Sequence, residues 1–304
     1  MKPIFALLLI AFFVPSVLLS AQEQRFGSSD DAVKALTAAA DNKDTNALNT
    51  IFGPAASNLI SADPIQASNA LAKFSRRISE RVAAVPASDS KIELNIGYDA
   101  WPFPIPLVKG DGQWFFDTEA GQEEILNRRV GRNELDTIRV CKAFVEAQRQ
   151  YDGVDRMGDG VMQYAQHLRS TPGIHDGLYW HAEPGEDASP LGPLIAAARG
   201  EGYTHESKIM TEAQAPYHGY YFKVLTRQGR NAPGGKYNYI VNGHMVAGFG
   251  LVAWPAEWGN SGVMTFIVNQ EGKVYEANLG VKTPSIALKM TTYDPNSDWK
   301  PVAE

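Results

Sequence analysis

The sequence predicts an α+β protein: N-terminal helices packed on a curled antiparallel sheet, then a helical bridge, then a C-terminal antiparallel sheet domain. Three observations carry this. Residues 28–85 hold apolar positions at helical spacing, with Val33, Leu36 and Ala40 on one run and Leu71, Phe74, Ile78 and Val82 on another. Residues 91–116 switch to a period of two, as in Ile92, Leu94, Ile96 and Tyr98. Residues 217–277 are a succession of β-rich segments with glycine turns. Helices followed by strands, rather than strict alternation, is the pattern of an α+β layout.

The chain opens with MKPIFALLLIAFFVPSVLLSA. Lys2 gives a positive start, Ile4 to Val14 an apolar centre and Val17 to Ala21 a small-residue exit, which is the pattern of a secretory signal peptide. Pro15 and the polar QEQR after Ala21 argue against a membrane span, which wants about 20 continuous apolar residues. Residues 1–21 are therefore expected to be a signal peptide that delivers the rest to the periplasm, with no stable transmembrane segment after its removal. No cysteine near the cleavage region offers a lipid attachment point.

Helix starts are expected at Ser28-Ser29-Asp30-Asp31 and at Thr45, the second helix stopping at Gly53-Pro54, with a longer amphipathic helix over 65–85. WPFPIPLVK, with its three prolines, fits an edge or extended segment. Asp111-Gly112 turns PLVK into QWFF as a hairpin. Ala120 to Arg129 is helical, and a separate long helix is expected from about Asn133 to Tyr151, broken by DGVDRMGDG and resumed in VMQYAQHLR. Residues 171–216 form a long irregular connector whose one helical run is LIAAAR; loops of that length tend to be functional. Five strands follow (GYYFKVLTR, KYNYIVNG, GFGLVAWPA, VMTFIVNQ and KVYEANL), the last two joined at Glu271-Gly272, and a short helix over 284–290 closes the chain. The expected organisation is 26–130, 131–216 and 217–304 after the signal segment.

A formal charge of −6 makes nucleic acid a poor partner, because phosphate binding needs clustered Lys and Arg. The densest basic cluster, Arg128, Arg129 and Arg132, is interleaved with Glu123, Glu124 and Glu134 and reads as a solvated helix surface. Cys141 is the single cysteine; Leu135, Ile138, Cys141 and Val145 share a helical face, so it reads as a small buried apolar residue and no intramolecular disulfide exists.

Candidate chemistry is sparse. Asp152, Asp155 and Asp159 with Gly160 resemble a degenerate calcium loop, but Met157 and Gln166 stand where oxygen ligands and a bidentate carboxylate are wanted. Calcium at Asp155 and Asp159 is the one cofactor the pattern admits. Of the six histidines, His167, His175, His181, His205, His218 and His244, four lie in the connector or at its edge, at spacings that match no metal template. GNSG at 259–262 reads as a β-turn, since G-x-S-x-G is absent. Glu123-Glu124 and Glu183, Glu186 and Asp187 are carboxylates whose convergence no spacing shows. Aromatics beside Pro and Gly suggest a binding surface, for which Trp180, Tyr217 and Trp258 are the candidates.

The segment DDAVKALTAAADNKDTNALNTIFG and the strands after it resemble cone-shaped domains of the nuclear-transport-factor-2-like type, over about residues 28–120. In order along the chain, WPFPIPLVK, GQEEILNRRVGRNEL, GLYW, SPLGPL, YHGYYFKVLTRQG, VNGHMVAGFGLVAWPAEWGNSGVMTFIVNQEGKVYEANLG and DPNSDWKPV strongly resemble the bacterial domain-of-unknown-function family number 2950. That resemblance implies an exported envelope protein and assigns no catalytic residue. GYYFKVL and FGLVAWPAEWGNSGVMTFIVNQEGKVY also resemble the globular sheet of type IV pilin-like proteins, without the assembly helix that fibre formation needs. The expected function is a non-catalytic envelope binding or assembly module, with an envelope protein or a glycan as partner. The alternative is a periplasmic hydrolase of cell-wall or glycan material using carboxylates or histidines of the 171–218 region.

Overall fold

The computed structural model describes residues 23–183, 185–203 and 215–303. The proposed signal segment lies outside the described residues, as does His205.

The N-terminal part begins with α1 (Ser29–Asp41), whose cap is Ser28: its hydroxyl accepts from the Asp31 amide, and Asp30 and Asp31 sit on the positive end of the helix. Asp44 caps α2 (Thr45–Phe52) and Asp63 caps α3 (Pro64–Glu80) in the same way. A 3-10 turn over Pro54–Leu59 links them, entered through Gly53 at a φ of 67°. The helix expected over 65–85 stops at Glu80, and the next residues form β1 (Val82–Ser88), an edge strand that the sequence pattern did not show. Its pairing with β2 (Lys91–Ile96) overrides the helical periodicity: Val82 faces Ile96 and Ala84 faces Leu94. Short β3 (Trp101–Pro102) pairs with β2, while β4 (Leu107–Gly110) and β5 (Gln113–Phe116) form the expected hairpin. Its two-residue turn needs positive φ twice, which Asp111 (51°) and Gly112 (81°) supply. The sheet order is β1-β2-β4-β5, and its inner residues Ile92, Leu94, Ile96, Leu107 and Phe116 pack on Leu36, Ile51, Phe52 and Ile78 of the helices.

From Thr118 to Asp152 the chain is one helix, α4, of 35 residues and about 50 Å. The separate helices expected on either side of Gly131 are therefore continuous, and the expected boundary between 130 and 131 falls inside α4. Gly131 does not break the helix: its φ is ordinary, and a helix tolerates a single glycine at a cost near 1 kcal/mol. Residues 161–166 are irregular rather than helical, and the chain then enters β6 (His167–Arg169), which pairs in parallel with β7 (Gly177–Tyr179). The LIAAAR run lies in α5 (Gly192–Gly200), as expected.

The C-terminal part contains β8 (Tyr220–Leu225), β9 (Arg227–Gln228), β10 (Tyr237–Asn238), β11 (Ile240–Val241), β12 (His244–Met245), β13 (Gly250–Pro255), β14 (Thr265–Asn269) and β15 (Tyr275–Ala277). α6 (Thr283–Lys289), β16 (Thr292–Tyr293) and β17 (Lys300–Pro301) complete it. The main sheet runs β17-β15-β14-β13-β8. KYNYIVNG does not join it: the segment breaks into β10 and β11, which pair with β9 and β12 instead. β13 and β14 are buried throughout because each face of the sheet is covered. Leu251, Ala253, Phe266 and Val268 pack with Val140, Cys141 and Phe144 of α4, whereas Val252, Trp254 and Ile267 pack with Ala287 of α6. Each fully buried aliphatic or aromatic side chain contributes roughly 1.5–3 kcal/mol, so α4 and the sheet it covers form the principal core.

Candidate functional site

After α4 the chain turns through Gly158 and Gly160, both at positive φ. The Asp155 carboxylate accepts the amides of Gly158 (2.8 Å), Asp159 (3.3 Å) and Gly160 (2.8 Å). Those bonds, Gly160's first, hold its carboxyl below the usual carboxylate range. Asp159 accepts from the Val161 amide (3.0 Å) and from Gln163 Nε2 (3.3 Å), and its Oδ2 lies 3.5 Å from His244 Nδ1 on β12. A second pair stands in the same cavity. Asp176 accepts from the Thr171 amide and hydroxyl, both at 2.7 Å, and lies 4.0 Å from His167 Nε2. The two His–Asp pairs, with Gln163, Gln166, Tyr151 and Tyr164, line a cavity of about 260 Å³.

The back wall is tied together by hydrogen bonds and stacked rings. Tyr151, from the last turn of α4, donates its hydroxyl to the His175 carbonyl. Burial first, and then the Asp176 charge, pushes its phenol up to about 12. The Arg156 guanidinium lies over Tyr151 at 5.5 Å and over Trp180 at 5.2 Å and pairs with Asp187. Trp180 stacks on His175 (4.2 Å, 18°) and donates Nε1–H to the Asp187 carbonyl at 2.9 Å.

The three aromatic candidates do not share a surface. Trp180 is buried behind the cavity. Tyr217 is buried against Tyr203 and His218. Trp258 is half-buried on the turn after β13 and bonds Asn278 Oδ1 at 3.0 Å. Their Pro- and Gly-rich neighbourhoods are loops that fold back onto the core and use the large rings as packing. The structure therefore corrects the expectation of an exposed surface for Trp180 and Tyr217. Asp155 and Asp159 do stand together, though Asp155 serves the loop's own amides and Asp159 serves the Val161 amide, Gln163 and His244. Among the described residues no group of three or more His, Cys, Asp or Glu is arranged to hold a metal ion. Cys141 is fully buried, and burial pushes its thiol up to about 12, which makes it an inert core residue. GNSG is a turn, with the Ser261 hydroxyl bonded to the backbone of Glu257.

A buried polar junction ties the N-terminal part to the rest, and sequence reasoning missed it. Asp63, 1% exposed, accepts four bonds: the cap amides of Ile65 and Gln66, the Tyr203 hydroxyl (2.7 Å) and the Gly219 amide (3.2 Å). Beside it Gln66 Nε2 donates to Asn133 Oδ1 (2.6 Å), whose Nδ2 donates to the Ser261 carbonyl (2.8 Å). Arg129, expected on a solvated surface, is instead largely buried and donates to the carbonyls of Leu59 and Ile60 and to Asn260. Glu134 receives the amides of Val263 and Met264. His218 stands 3.0 Å from Glu201 and 3.5 Å from Asp136. One sequence signal pointed here: stepping back from Cys141 along its helical face reaches Thr137, Asn133 and Arg129, a buried stripe that turns polar.

A broader groove of about 650 Å³ lies between the 3-10 turn, the start of α4 and the turn after β13, with Glu119, Glu123, Asn58 and Gln122 on its walls. Glu183 pairs with His181 on the exposed connector. No helix among the described residues is long and apolar enough to cross a membrane.

The family model described as "Protein of unknown function (DUF2950)" matches residues 23–302. No curated protein and no solved structure matches the chain.

Proposed function

We propose that this chain, which belongs to the DUF2950 family, is an exported envelope binding module that seats a small polyhydroxylated ligand in the cavity beside the 153–166 loop and performs no chemistry on it. One observation carries the reading: the cavity's two carboxylates are already engaged. Asp159 and Asp176 each accept two bonds from neighbouring amides or side chains and each faces an imidazole. Carboxylates fixed in this way hold the loop and the facing imidazoles in one arrangement, which orients hydrogen bonds to a bound ligand. Planar amides, imidazoles and the ring of Tyr164 around a small concavity suit a sugar-like molecule, whose hydroxyls donate and accept while its C–H face packs on a ring. The volume falls below the roughly 300–1,000 Å³ of drug-sized sites, which favours a single ring. Export rests on the apolar segment 4–14 with its charged start.

A second reading, a hydrolase of cell-wall or glycan material, rests on Asp159 and Asp176 lining one cavity. One experiment separates them. The protein is melted in the presence of monosaccharides, peptidoglycan fragments, calcium and zinc, and the ligand is then analysed by mass spectrometry. A sugar that raises the melting temperature with concentration, loses the effect in Gln166→Ala and is recovered intact supports the binding module. A cleaved ligand establishes the hydrolase. A calcium shift lost in Asp155→Ala assigns the loop to a cation, and no shift from any of them removes the small-ligand reading in favour of a protein partner.

A further inference from the structure

The seam between α3 and α4 gathers positive charge on a chain whose formal net charge is −6. α3 contributes Lys73, Arg76 and Arg77, and α4 contributes Arg128 and Arg132. Its foundation is locked. The Trp101 ring stands between two guanidiniums, Arg77 at 5.1 Å and Arg128 at 5.2 Å. Arg128 also donates to the Pro102 carbonyl at 3.3 Å and pairs with Glu124, while Arg77 pairs with Asp99. Phe74 stacks on Phe103 at 5.4 Å beneath the same strand.

Above that foundation the charge is only partly compensated. Arg76 has a long contact of 3.7 Å to Glu80. Lys73 is one helical turn before Arg77 and Arg132 one turn after Arg128, and both are exposed. Neither has a hydrogen-bond or ion-pair partner among the described residues. The five cations outnumber their three ion-pair partners, Glu80, Asp99 and Glu124. The Lys73 ammonium is held below its usual range by desolvation first and then by the charges of Arg77, Arg132 and Arg76, with Asp99 opposing. Like charges this close, held by a rigid aromatic base, lower stability unless an anion sits among them.

We propose that Lys73, Arg76 and Arg132, backed by the Arg77–Trp101–Arg128 stack, form a binding site for the phosphate group of an anionic ligand. An ammonium and two guanidiniums on the turns next to the Arg77–Trp101–Arg128 stack match a compact, multiply charged oxyanion better than a single carboxylate. The site is separate from the loop cavity, so the two stand or fall independently.

The test titrates the protein with inorganic pyrophosphate by calorimetry and, separately, sediments it with phosphatidylglycerol or phosphatidylcholine vesicles, each at low and at physiological salt. The expected result is salt-sensitive binding to pyrophosphate, to phosphatidylglycerol vesicles or to both, weakened at least tenfold in Lys73→Gln/Arg132→Gln and unchanged in Lys34→Gln on α1. Pyrophosphate binding identifies a soluble phosphate source, and binding to the anionic vesicles alone identifies a lipid headgroup. The double variant is also expected to melt at or above the parent temperature, since it relieves repulsion. Absence of binding to either probe, undiminished binding in the double variant, or a lower melting temperature for it would overturn the proposal.

Discussion

Removing the Asp63 carboxylate tests whether the polar junction holds the two parts of the chain together. In Asp63→Ala the α3 cap disappears, which costs about 1 kcal/mol. The Tyr203 hydroxyl and the Gly219 amide lose a buried acceptor, each costing roughly 1–3 kcal/mol when no water replaces it. The total is about 3–7 kcal/mol, a large part of the roughly 5–15 kcal/mol that stabilises a typical fold. Asp63→Asn keeps the oxygen that caps the helix but points an amide at the Gly219 N–H, so its cost should be about half. Tyr203→Phe supplies the decisive arm, because in Asp63→Ala/Tyr203→Phe no hydroxyl is stranded. The double variant should then be less destabilised than the sum of the single ones by about 1–2 kcal/mol. Urea unfolding followed by tryptophan fluorescence measures all four, with the midpoint moving and the slope unchanged. A loss under about 1 kcal/mol for Asp63→Ala, or strict additivity with Tyr203→Phe, would refute the reasoning.

Alkali should destabilise the protein in two stages. The unfolded Cys141 thiol loses its proton near 8.5 whereas the folded one holds it to about 12, so from about pH 8.5 the unfolded state binds fewer protons and stability falls by about 1.4 kcal/mol per pH unit. Above about pH 10 the buried phenols of Tyr151, Tyr217, Tyr220 and Tyr293, all raised chiefly by burial, steepen the fall. Cys141→Ala should abolish the first stage and leave the second, which urea unfolding across pH 8–11 reads directly. Gly177→Ala should cost about 2 kcal/mol or more, because a Cβ there meets the Ser170 nitrogen at 2.5 Å and the Arg169 oxygen at 2.7 Å, backbone atoms that cannot step aside; thermal melting checks it. Trp180→Ala should cost about 3–5 kcal/mol as a buried aromatic, and Trp258→Ala clearly less; equal costs would restore Trp258 to the core or remove Trp180 from it.

Much of the architecture was legible because local chemistry and tertiary structure agree there. Ser28, Asp44 and Asp63 cap their helices, Asp111-Gly112 makes its turn, and Ile92, Leu94 and Ile96 alternate into one core. The pattern failed where a distant partner decides. Val82 to Ser88 carries helical spacing and proline, yet β2 recruits it as an edge strand. KYNYIVNG has strand composition, but the five places of the main sheet are filled by other segments, including the unpromising Lys300–Pro301. Candidate sites were harder still. Asp159 and His244 are far apart in sequence and meet only because β12 folds against the loop. Tyr203, Asp63 and Gly219 likewise lie on separate segments, so no spacing rule joins them. Arg129 shows the limit of charge patterning, since its neighbours on the helix are solvated and it is not.

α4 belongs to two hydrophobic cores at once: Ile125 packs with the N-terminal one, and Val140 to Tyr151 with the C-terminal one. A helix shared in this way has no neutral place to be cut. Severing the chain near Val130 would leave each fragment with half a helix and a bare apolar stripe, inviting aggregation instead of two autonomous pieces. Melting should accordingly show one calorimetric peak, with both parts lost together, and heritable insertions should be tolerated in the connector far better than anywhere along this shaft.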